Sequence, residues 1–365
     1  MTQHTSDTSL RDTCRHAKII VCCGTGGVGK TSVAAALALL CAQEGRKAVV
    51  VTIDPARRLF DAIGLHGDVS NEPTRVNLDV SGEMWITMLN VRETFDDLVR
   101  EVSPTQQRAD EVINNSFYAN IAESISGTRD YMAAARLYSL HHDDRFDVVI
   151  VDTPPTRNAL DFLDAPERLA RFLNHPIVRF LSAPARGGFK VVSFALTPVI
   201  KIIGRVVGSD ALESAVSFLR AFDGMQDVLR DRALEVADLL RADHTAFAVV
   251  TAPQKEALQE AAFFTSELSR LSLPLRVIIA NRMPPRFGTM TADNADNLAQ
   301  QAGPLASAYH NLALLSREAD HADAIISTFI DTAVAKSTVI ARANERADDI
   351  HDLHGIVQLA EQIAS

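Results

Sequence analysis

The chain has 365 residues, 47% of them hydrophobic and 22% charged, so it can bury a large core and lies far from the composition of a disordered segment. Its 46 acidic side chains outnumber 36 basic ones, a balance that repels a phosphate backbone and argues against nucleic acid as a partner. The four cysteines, Cys14, Cys22, Cys23 and Cys41, contain no CxxC pair, so no zinc site is expected, and Cys22, Cys23 and Cys41 read as small core hydrophobes.

The first 16 residues are polar and lack the apolar stretch of a secretory signal, so they read as a flexible tail and a cytoplasmic location is expected. Residues 18–23 (KIIVCC) form a short apolar run that breaks into glycines and resumes as an alanine- and leucine-rich stretch over 32–43. That pattern is strand, loop, helix. A second apolar run at 48–53 closes a βαβ unit, and further strands are predicted at 85–89, 147–151, 246–251 and 275–280. Continuous apolar strands separated by helices imply a parallel sheet buried on both faces.

Two long segments, 92–141 and 157–243, have no strand character. The second opens on Asp164-Ala165-Pro166-Glu167, an N-cap acid with proline in the first turn, followed by Leu169, Phe172 and Leu173 on one helical face. It later carries Leu212, Val216, Leu219, Phe222 and Met225 at helical spacing. The domain reading is therefore a core of 17–156 and 244–365, with 92–141 as a helical segment within it and 157–243 as a helical insertion. The most apolar stretch, 189–208, contains Lys190, Lys201 and Arg205 with Pro198 near its middle, which makes it a poor membrane span. It is either core or a groove that receives an apolar client, and the client surface is expected around 189–225, with Phe189, Phe194, Phe218, Phe222 and Met225 as the candidate side chains.

Gly24-Thr25-Gly26-Gly27-Val28-Gly29-Lys30-Thr31 satisfies GxxxxGK(S/T) between a strand and a helix. Glycines there let backbone N–H groups turn inward around phosphate, and the helix N-terminus adds positive potential. Residues 24–31, with Ser32 beside them, are the expected nucleotide contacts. Lys30 is expected on the β- and γ-phosphates of ATP and the Thr31 hydroxyl on Mg²⁺. The fold class that follows is α/β, a P-loop NTPase with a mostly parallel central sheet flanked by helices, plus the inserted helical subdomain. Asp54, in TIDPARR, and Asp152, in VVIVDTPPT, end two other apolar strands at the edge where ligands of open α/β sheets bind. Both acids are expected near Mg²⁺, directly or through water, Asp152 in the manner of a Walker B acid.

GTGGVGKT, TIDPARRL and DTPPT at these spacings resemble the ArsA and Get-type ATPases, the arsenite-pump and tail-anchored-protein-targeting family. The blocks MLNVRETFDDLV, GTRDYMAAARL, DTPPTRNALDFLDAPERLARFL and DIHDLHGI are similar to a bacterial ArsA-like subfamily known best from actinobacteria. The resemblance implies a dimer that closes around ATP, with Asp54 in switch I orienting the attacking water, 152–156 as switch II, and Asn281 at the adenine. It departs from the family at Thr25, where the signature lysine stands, and in lacking the zinc and metalloid-binding cysteines. Three functions follow as expectations. The first is an ATPase, homodimeric or paired with a paralogue, that binds and releases a partner or a hydrophobic or membrane-protein client without inserting stably in the membrane. The second is the catalytic subunit of an anion efflux pump. The third, a spatial regulator, suffers from a C-terminal stretch (348–365) without Lys or Arg.

Overall fold

A computed structural model describes residues 9–54, 58–64, 71–115, 118, 128–154, 165, 167–168, 171, 225–301, 303–335 and 337–365. Contacts divide the chain into two units, one comprising Met1–Met88, Leu140–Ala159 and Arg241–Ser365, the other Leu89–Ser139 and Leu160–Leu240.

The first unit is built on one eight-stranded sheet. Its strands are β1 (Ile19–Cys23), β2 (Lys47–Thr52), β3 (Thr74–Val76), β4 (Glu83–Met88), β5 (Val148–Asp152), β6 (Thr245–Thr251), β7 (Leu275–Met283) and β8 (Val339–Asn344), in the order β3-β4-β2-β5-β1-β6-β7-β8. All neighbours pair in parallel except β3, which runs antiparallel to β4. Every residue of β1, β5 and β6 is buried, as strands covered on both faces require. The six strands expected from apolar runs are present. The two missed ones are the sheet edges: β3 has three residues, and β8 alternates buried Ala341 and Ala343 with exposed Arg342 and Asn344.

The helix Lys30–Gln43 starts at the end of the glycine loop and is apolar all round, with every residue from Val33 to Ala42 buried. A helix of that kind needs cover on every side. The sheet supplies part of it, and the helices Leu10–His16, Arg58–Ile63 and Leu353–Ala364 add more. Residues 10–16, read from the sequence as tail, are therefore a helix. Ser9 and Asp12 cap it reciprocally, and Leu10, Thr13 and Cys14 form a buried stripe at i, i+3, i+4. Arg11 and Arg15 pair with Glu44 at 2.9 and 2.6 Å. The remaining helices of this unit include Lys255–Arg270, Ala292–Ala299 and Ala306–Ala333, the last two packed on one another.

The described part of the second unit is helical, with helices Val91–Val102, Gln106–Ile113, most of Thr128–His141 and nearly all of Gln226–Arg241. The segment 92–139 thus groups with 160–240 rather than with the sheet. Arg232 binds it internally, reaching Glu101 at 2.5 Å and lying over the Tyr138 ring at 4.7 Å. Met225 is fully buried, its sulfur 3.6 Å from the Ser103 hydroxyl, so this member of the expected client-facing set is core. Phe189, Phe194, Phe218 and Phe222, and most of the expected insertion, lie outside the described residues. No helix among the described residues is long and apolar enough to cross a membrane.

Candidate functional site

The glycine loop lies past the carboxyl end of β1, with β5 and β6 on either side. Gly24 has φ +146°, and a Cβ there would come within 2.2 Å of the Val250 carbonyl oxygen on β6, so only glycine passes. Gly29 takes a left-handed conformation, φ 88°, as the N-cap of the helix Lys30–Gln43. It contributes no side-chain cap, and the first turn contains no acid. The first amides of this helix therefore keep their hydrogen-bonding capacity and the positive end of the helix dipole is not quenched. Gly26 and Gly27 are exposed, Thr25 and Ser32 half-buried, and Val28 buried.

Lys30 is buried, and its Nζ donates to the Thr25 carbonyl at 2.8 Å. Burial lowers its pKa, opposed chiefly by the charge of Asp152. The Thr31 hydroxyl donates to Asp152 Oδ2 at 2.8 Å and the Thr52 hydroxyl donates to the same oxygen at 3.0 Å. Asp152 Oδ1 is buried without a hydrogen-bond partner. Burial pushes the Asp152 carboxyl up to about 6, against the two hydroxyl bonds and Lys30. The start of the helix Lys30–Gln43 and the ends of β2 and β5 thereby meet at one carboxylate. Thr153, next in the chain, donates its hydroxyl to the Cys22 carbonyl at 2.7 Å.

Two cavities adjoin this cluster. One, of about 320 Å³, is lined by Lys30, Thr31, Asp54, Arg58 and His351 among others. Asp54 is half-buried, with Arg58 3.8 Å away, while Arg57 and residues 155–156 lie outside the described set. The second, of about 190 Å³, is lined by Asn281, Asn344, Arg346 and Asp348 among others. Gly29, Ser32, Arg282, Asp349 and Ile350 line both. Asn281 is buried at the loop, its Nδ2 donating to the Val28 carbonyl at 2.8 Å. A third cavity, about 360 Å³, lies elsewhere, beside Lys18, Arg46 and Asp147. Arg46 is spent there on the carbonyls of Cys14, Ala17 and Asp147, which makes it a structural tie.

Sequence reasoning missed the 344–351 segment and Arg282 as cavity lining. The only signal was the DIHDLHGI block, which resembled a family without indicating a contact.

Residues 17–301 match the family described as anion-transporting ATPase, more than half of the chain. The chain belongs to the ArsA-type anion-transporting ATPase family. It is 27% identical over 264 residues to "ATPase ARSA2" of Chlamydomonas reinhardtii, covering 71% of this chain and 66% of that protein. It is 27% identical over 151 residues to "ATPase ASNA1 homolog 1" of Paramecium tetraurelia, covering 41% and 44%. It is 25% identical over 270 residues to "ATPase GET3" of Malassezia globosa, covering 73% and 74%. The chain thus spans less than two thirds of the first two relatives. In this ArsA-family chain all four cysteines are buried to 0% exposure, and burial raises the Cys23 thiol to about 12. None of the four presents its sulfur to solvent.

Proposed function

We propose that this chain is a Mg²⁺-dependent ATPase in which residues 24–32 hold the phosphates of ATP and whose closing and opening around nucleotide binds and releases a partner. The observation that supports this most is the buried carboxylate of Asp152, held by Thr31 and Thr52 beside a helix N-terminus that has no side-chain cap. A divalent cation fits this set, since Asp152 Oδ1 is a buried oxygen without a partner and hard cations take hydroxyl and carboxylate oxygens. Thr31 and Asp152 would hold it, and when bound it neutralises charge on the phosphate oxygens.

The chain's own groups do the remainder. Loop and helix amides donate to the phosphates, and Lys30 exchanges the Thr25 carbonyl for phosphate oxygens. Asp54 accepts a hydrogen bond from the attacking water and orients it. Asn281 and the smaller cavity take the base. The family resemblance supports a dimer, and the apolar composition of 189–208 supports a hydrophobic client for the helical unit. The buried cysteines count against a soft metalloid as ligand, because such ions need accessible thiolates.

The deciding experiment measures ATP hydrolysis by the purified chain with Mg²⁺, with chelator, and as Lys30→Ala. Hydrolysis that depends on Mg²⁺ and falls by roughly a hundredfold or more in the variant supports the reading. Near-native turnover in Lys30→Ala overturns it. Sedimentation with and without a non-hydrolysable ATP analogue tests the dimer, which should form with the analogue and dissociate without it.

A further inference from the structure

The bulge in β7 carries two residues with opposite fates. Against β8, Ala280 pairs with Arg342 and Met283 with Asn344, so β7 spends one extra residue between them. Asn281 is buried on the glycine loop, while Arg282 is exposed and adopts φ 56°, one of two non-glycine residues with positive φ among those described. Left-handed backbone in a long side chain costs free energy and recurs where function holds it in place. The holding bonds are evident. Asn281 is tied to Val28, and the Glu345 amide donates to the Met283 carbonyl at 2.7 Å on the other side.

Arg282 lines both cavities, the one beside Lys30 and Thr31 and the one beside Asn281. The other cations differ from it. Lys30 lines only the first, Arg58 has Asp54 within 3.8 Å, and Arg346 lines only the second. No carboxylate among the described residues forms an ion pair with Arg282, although Asp54, Asp61, Glu345, Asp348 and Asp349 line one or both cavities. An anionic nucleotide entering so acidic a setting requires cations, and position 25, where the family resemblance puts a lysine, holds a threonine.

We propose that Arg282 is a phosphate-binding residue, contacting the nucleotide between base and loop and supplying from the same chain a positive charge that Thr25 cannot. The proposal rests on the ATPase reading above. A guanidinium offers forked donors matched to phosphate oxygens, and the bulge holds it at the junction of the two cavities.

The test is equilibrium binding of ATP, ADP and adenosine to the full chain, to Arg282→Gly and to Arg282→Lys. Glycine accepts the backbone conformation without strain, so the variant removes the cation and leaves the bulge intact. Arg282→Gly is expected to weaken ATP and ADP by roughly tenfold or more, to leave adenosine within about twofold, and to keep the melting temperature at or above that of the parent. Arg282→Lys should recover part of the loss. Unchanged ATP and ADP affinity in Arg282→Gly overturns the proposal, as does an equal loss for adenosine, which would make the residue part of the base pocket. Absence of ATP binding by the parent chain would instead overturn the ATPase reading itself.

Discussion

Gly29 and Asn281 fit together so closely that a single methyl on the glycine would lie 2.4 Å from the asparagine Nδ2, the nitrogen that donates to the Val28 carbonyl. The loop conformation and the cavity beside Asn281 are therefore one packing problem. Gly29→Ala should lose nucleotide binding and cost about 1–3 kcal/mol, from left-handed strain and the clash together. Asn281→Ala relieves the clash and sacrifices one buried hydrogen bond, about 1–2 kcal/mol. The double variant should recover part of the stability lost in Gly29→Ala but not nucleotide affinity, which thermal melts and ADP titration read separately. Full additivity of the two losses would mean that the residues do not interact.

Asp54→Asn separates positioning from binding. The amide retains the size of the side chain and leaves the Thr31–Asp152–Thr52 cluster intact, so ATP affinity should stay within about threefold while turnover falls by a hundredfold or more. Equal loss of both would assign Asp54 to the fold. Single-turnover hydrolysis beside a binding titration distinguishes these outcomes.

Asp152 gives the chain a pH-dependent cost. Its carboxyl titrates at 3.8 in an exposed chain and at about 6 when buried here, so the folded state binds a proton that the unfolded state has released. The contribution favours folding below about pH 4 and is lost as pH rises through about 6. Asp152→Asn removes the ionisable group. Without nucleotide and with chelator, it should be the more stable protein at pH 8, by on the order of 2–3 kcal/mol, and should lose that advantage near pH 4. The same variant should be inactive. A variant less stable than the parent at pH 8 would mean that the hydroxyl bonds outweigh desolvation.

Thr25→Lys is expected to raise turnover, because the half-buried threonine supplies Lys30 with a backbone carbonyl that the substitution leaves in place. If the added lysine acts across a dimer, the gain of roughly tenfold or more should grow with protein concentration. It should also offset part of the turnover lost in Arg282→Gly. A first-order rate, unchanged by dilution, would limit the lysine to its own nucleotide.

The edge of the sheet that carries the candidate site was legible because each part of it announces itself locally. GTGGVGKT sits between an apolar strand and an alanine-rich helix, and Asp152 ends an unbroken apolar run. Continuous burial leaves a continuous hydrophobic record. The edges of the sheet leave none: Thr74–Val76 is too short for a pattern, and the solvated Arg342 interrupts Val339–Asn344. Arg282 escaped for a different reason. A bulge is a property of two strands in register, and neither strand records it alone. The stripe Leu10, Thr13, Cys14 was hidden by the polar residues around it.

The tie between Asn281 and Val28 joins residues 253 positions apart, and the segment that finishes both cavities, 344–351, comes later still. During synthesis the glycine loop emerges before Leu353–Ala364, which is part of the cover of the apolar helix beside it. Until that cover is made, the helix Lys30–Gln43 presents greasy surface, and a growing chain lacks the walls that would let nucleotide stabilise it. Stalled or shortened chains should thus be adhesive, and a nucleotide that stabilises only the finished site would give no shelter to its fragments.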